Sequence, residues 1–64
     1  MYAGDFIQFK GRVGIVVEFL NENDEDRAIV DLVNEFGETV ERLNVRAKSI
    51  SLAAEDDIPS SRKN

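Results

Sequence analysis

Lys10 and Arg12 flank Gly11 within the stretch GDFIQFKGRVGIVVEF. At the tip of a tight hairpin, two such cations beside exposed backbone N–H groups would suit a phosphate. A second basic run, RLNVRAK, holds Arg42, Arg46 and Lys48 with no acid among them. If the end of a fourth strand and the start of a fifth approached the first hairpin, the two runs would form one patch. Phe6 and Phe36 are the aromatic residues placed to stack or pack beside it. The plainer alternative is that these cations are separately solvated on turns, and that Phe36 packs under its own loop.

Other chemistry finds little support. The acids Glu22, Asp24, Glu25 and Asp26 invite a calcium loop, but no glycine stands at the sixth position from Asn21, and Leu32 occupies the place of the bidentate glutamate. A solvated loop is expected. Histidine and cysteine are both absent, which removes the usual general base, the commonest metal ligand and any disulfide. Ser49, Ser51, Ser60 and Ser61 therefore lack a base, and there is no GxxxxGK[ST] phosphate cradle. The chain is read as non-enzymatic, with no cofactor and no metal.

Charge bears on the partner. Thirteen acids against 8 bases give a net charge of -5 over 64 residues. Nucleic-acid affinity comes largely from neutralised phosphates, so the global field opposes it and favours a protein partner. Nothing resembles a signal peptide and no apolar run approaches the roughly 20 residues that span a bilayer, so a cytoplasmic location is expected.

The elements that would position these residues are short strands. In DFIQFK (5–10), Ile7 and Phe9 alternate with Gln8 and Lys10, which sends Phe6 to the outer face. Asp5 would accept backbone hydrogen bonds at the first turn. KGRVG supplies two glycines for the positive φ angles of a tight hairpin. IVVEFL (15–20) is β-branched and aromatic without clean alternation, as in a long, bent strand covered on both faces. NENDED (21–26) reads as an exposed loop. RAIVDLV (27–33) alternates like a strand, yet Ile29, Leu32, Val33 and Phe36 also form a helical stripe that Gly37 would cap. Strand is preferred, with NEFGE (34–38) as a hairpin loop and ETVERL (38–43) as its return. NVRA (44–47) makes a turn, KSISL (48–52) a last strand, and residues 53–64 a disordered tail.

Gly4, Asp5, Ile7, Phe9, Lys10, Gly11, Gly14 and Val16 together resemble the KOW motif, the opening hairpin of SH3-like barrels in ribosomal proteins and transcription elongation factors. GDFIQFKGRVGIVVEFLNEN followed by AIVDL is also similar to the YkvS-like family of small uncharacterised bacterial proteins. The likeness covers residues 4–33 well and 38–52 loosely. The chain departs from that pattern in its acidic loop and in VRAKS, which lacks the family's histidine. The resemblance implies a fold, with RNA or protein binding as a distant analogy. The expectation is thus an all-β, five-stranded SH3-like (KOW-type) barrel over residues 1–52 that acts as an interaction module. Its partner would be a protein, held through Phe6, Lys10, Arg12, Phe36, Arg42, Arg46 and Lys48. Weak RNA or DNA binding through the basic residues is the alternative, and edge-strand pairing into a homo-oligomer is a third possibility.

Overall fold

A computed structural model describes residues 1–58. The tail expected over 53–64 lies partly outside the described residues. Within them, Glu55–Asp57 forms a single 3₁₀ turn and Ile58 is half-buried.

The first hairpin joins β1 (Phe6–Phe9) to β2 (Arg12–Glu22) through the two residues Lys10 and Gly11. Both have positive φ, 49° and 79°, as a type I′ turn requires to match the twist of the strands. One of the expected turn glycines is therefore reassigned. Gly14 lies inside β2, opposite Leu32, and its place there is set by a close approach of β3. Asp5 anchors the entry as expected, accepting a hydrogen bond from the Tyr2 N–H at 2.7 Å.

β2 continues to β3 (Glu25–Val33) across another two-residue turn, Asn23–Asp24, at φ 53° and 63°. The acidic segment 21–26 is thus mostly paired strand, with Asn21 opposite Asp26 and Glu22 opposite Glu25. Asn and Asp tolerate the left-handed region better than other side chains, which is how a turn without glycine forms there. The choice between strand and helix for 27–33 is settled as strand. Ala28, Val30 and Leu32 are buried on one face, while Ile29, Asp31 and Val33 are half-buried on the other.

The irregular pattern of 15–20 has a different cause from coverage on both faces. The register slips between Val16 and Glu18, so Val17 is an extra residue in a β-bulge. Val17 and Phe19 are exposed. A second slip, between Leu32 and Val33, leaves Val40 of β4 (Thr39–Arg46) as the extra residue. β4 runs further than expected, and the 3₁₀ turn that follows occupies Ala47–Ser49. The last strand, β5, is only Ser51–Leu52 and pairs with Ile7 and Gln8.

All pairings are antiparallel and the order is β4-β3-β2-β1-β5. In a flat sheet β4 and β5 would stand about 19 Å apart, at about 4.8 Å per strand spacing. The link Ala47 to Ile50, three of its residues in a 3₁₀ turn, reaches about 15 Å at most. The sheet must therefore curl. This small all-β domain has the strand order of an SH3-like fold, and no backbone ladder joins β4 to β5 among the described residues. Ile7, Val16, Ala28, Val30, Val45 and Ile50 fill the concave side, with Phe9 and Leu43 packed against them. Among the described residues, no helix is long and apolar enough to cross a membrane.

Candidate functional site

Register places the expected site residues at two ends of the sheet. Phe6 pairs with Ile15, Ile15 with Asp31, and Asp31 with Arg42, so these four form one cross-strand row. Alternation puts that row opposite the buried Ile7, Val16, Val30 and Leu32, on the outer face. Phe6 is half-buried there, less open than a free aromatic anchor would be.

At the end of the sheet that carries the first turn, Arg12 Nη1 donates to Glu41 Oε1 at 3.4 Å. Both side chains are about half exposed, so this pair contributes little to stability. Lys10 Nζ lies 5.3 Å from the centroid of the Phe9 ring. The loop between β3 and β4 is shaped by Asn34, whose Oδ1 accepts the N–H groups of Phe36 and Glu38 at 2.9 and 3.0 Å. Phe36 is 66% exposed and does not pack away under its loop. Exposed Val40 follows in the same region, next to Glu41.

Arg42 forms a bidentate pair with Asp31. Nε donates to Oδ1 at 2.6 Å and Nη2 to Oδ2 at 3.0 Å. The planar guanidinium fork matches the carboxylate, which makes this geometry more specific than a lysine pair would be. These hydrogen bonds hold the Asp31 carboxyl below the usual carboxylate range against the opposing effect of desolvation, and Arg42 is raised in return. A carboxyl with a depressed folded pKa stabilises the fold above its unfolded value of about 4, and that contribution disappears as pH falls through the folded value. Urea midpoints measured from pH 6 down to pH 2 are expected to fall less for Asp31→Asn than for the wild type. Parallel acid limbs for the two proteins would show that the pair carries no such linkage.

The opposite end holds Arg46 and Lys48. Arg46 sits directly across from Arg27, a like-charge pairing that would repel. Glu25 resolves it by pairing with both: Arg46 Nε lies 2.7 Å from Oε1 as an ion pair, and Arg27 Nη1 donates to Oε2 at 3.0 Å. Arg27 also donates from Nε to Asn44 Oδ1 at 2.6 Å. Lys48 lies in the 3₁₀ turn, beside a hollow lined by Asp24, Glu25, Asp26 and Ala47.

The basic residues therefore do not form one patch. Arg12 and Phe36 lie near the Leu32 end of β3, whereas Arg46 faces Arg27, about 17 Å away along the strand at about 3.4 Å per residue. The acids that neutralise the arginines, Asp31, Glu41 and Glu25, are functional neighbours that spacing in the sequence does not reveal. Their cross-strand pairing depends on register, which the two bulges shift. Among the described residues no group of His, Cys, Asp and Glu is arranged to hold a metal. Comparison with protein-family models, curated proteins and solved structures gives no match for the chain.

Proposed function

We propose that this chain is a non-enzymatic interaction module of the bacterial cytoplasm and that its partner is a protein. One observation carries the reading. Arg12, Arg42 and Arg46 are each already matched by a carboxylate, while Phe36 and Val40 stand exposed at the end of the sheet that holds Arg12. Phosphate binding through these arginines would require breaking three internal ion pairs against an overall charge of -5. Apolar side chains rimmed by matched charges suit a protein surface better. The binding face would centre on Phe36, Val40 and the Arg12–Glu41 pair, with the row from Phe6 to Arg42 extending it across the outer face. The curl of the sheet and its strand order support reading it as an SH3-like barrel, while its KOW-type and YkvS-like character rests on the resemblance of residues 4–33.

Affinity capture from a bacterial cytoplasmic extract, with and without nuclease, tests this. Nuclease-resistant capture is expected, and it should be abolished in Phe36→Ala/Arg12→Ala while the far-UV CD spectrum stays unchanged. Capture lost on nuclease treatment and on added salt would transfer the function to nucleic acid, with Lys10 and Lys48 as its contacts. Undiminished capture by the folded double variant would sink the face assignment.

A further inference from the structure

The end of the sheet away from Phe36 carries a second concave surface. The β2–β3 hairpin runs on past the core, and its inner side turns toward the 3₁₀ turn at Ala47. Phe19, Leu20, Asn21, Asp26, Arg27 and Ala47 line one hollow there. It shares Asp26 and Ala47 with the neighbouring hollow that reaches Asp24 and Lys48. Phe19 pairs in register with fully buried Ala28, and so belongs to the face that carries the core. Yet Phe19 is 42% exposed. Ala28 and Ala47 are too small to cover a phenyl ring, and the bulge at Val17 carries this part of β2 beyond the larger core side chains.

The rim of this groove carries Asp24, Glu25, Asp26 and Lys48, so its acids outnumber its cations where no ion pair is made. Glu25 is held by Arg27 and Arg46. Asp26 accepts only from the neutral Asn21 amide, at 2.9 Å, and no cation pairs with Asp24 or Asp26 among the described residues. Asp26 thus lies beside the open ring and Asp24 in the adjoining hollow, two carboxylates without an ion pair against the single cation Lys48, in a chain whose overall field is also negative. Charge complementarity selects a cationic occupant, and the ring calls for an apolar anchor or a guanidinium stacked on its face.

We propose that this groove binds an extended peptide segment in which an apolar residue adjoins lysine or arginine. The anchor would pack on Phe19 against Ala47, and its basic neighbours would meet Asp24 and Asp26. The site involves none of the residues of the Phe36 face, so either can fail without the other.

A random peptide library displayed on phage and panned against the full chain would test the proposal. Recovered peptides are expected to place Lys or Arg beside an apolar residue. Their affinity, read by fluorescence polarisation, should fall at least tenfold in Phe19→Ser and several-fold in Asp24→Asn/Asp26→Asn. It should be unchanged in Phe36→Ala. Phe19 is partly exposed at the end of a hairpin, and the Asp24→Asn/Asp26→Asn variant retains the shape of the groove should Phe19→Ser unfold. Peptides without basic enrichment, or binding indifferent to the Asp24→Asn/Asp26→Asn change, would overturn it. So would sedimentation showing a dimer that Phe19→Ser dissolves, since the occupant would then be a second copy of the chain.

Discussion

Gly14→Ala is expected to lower the stability of this domain by about 1–3 kcal/mol, the usual cost of forcing extra volume into a packed site. A Cβ at Gly14 would stand 2.8 Å from the Asp31 carbonyl oxygen and 3.1 Å from Leu32 Cδ2. The nearer atom is backbone, fixed by pairing on both sides of β3, so it cannot swing away as a side chain would. Gly11→Ala supplies the control. Its Cβ would meet open space, but its φ of +79° is strained for an L-residue. That strain alone costs roughly 1–2 kcal/mol. The two glycines thus fail by different mechanisms. Gly14→Val, larger at the same contact, should be worse than Gly14→Ala, whereas Gly11→Asn should recover much of the loss at position 11. Urea denaturation of the four variants checks the pattern. A domain of this size has only about 3–10 kcal/mol in total at about 0.05–0.15 kcal/mol per residue, so the differences are readily measured. Equal stability of Gly14→Ala and the wild type would mean that β2 and β3 separate at this point.

That pair of glycines also marks how far sequence reading reaches. The all-β class was legible, because residues 5–10 and 27–33 alternate in sequence and 15–20 is rich in β-branched and aromatic side chains. So was the loop over 34–38, where Asn34 and Gly37 supply the turn chemistry. Gly14 was misplaced in the turn because a glycine needed for close approach looks in sequence like one needed for positive φ. Conversely, Lys10, Asn23 and Asp24 take positive φ without being glycine, so the second turn was hidden inside an acidic run. The bulges at Val17 and Val40 shift every later side chain to the other face, and local composition does not locate them. This is why Asp31 opposite Arg42, and Glu25 as the ion-pair partner of Arg46, were not foreseen. The candidate residues themselves were legible as types, but their division between two ends of the sheet is a property of register.

The core offers the larger effect. Ile7→Ala should cost about 2–5 kcal/mol, the range for removing a large buried aliphatic side chain without full collapse around it. Against the same total of about 3–10 kcal/mol, that change alone would leave a substantial unfolded population. Ile7 is fully buried and is the one β1 residue that pairs with Gly14 on one side and Leu52 on the other. Because its backbone is held by both ladders, the strand cannot move inward to fill the space left. Gly14 offers no side chain to fill it either. Ile7→Val, which removes one methylene, should cost only about 0.5–1.5 kcal/mol and keep the fold. The loss should appear first at β5, whose two residues depend on β1 for pairing. The Ala53 N–H, which donates to the Phe6 carbonyl at 3.0 Å, is a reporter outside the substituted residue. Hydrogen exchange at Ala53 should accelerate in Ile7→Val before exchange at Val30 in the central strand does. If both amides accelerate together, β5 and the meander unfold as one unit, and the short fifth strand is held by the core as firmly as the rest.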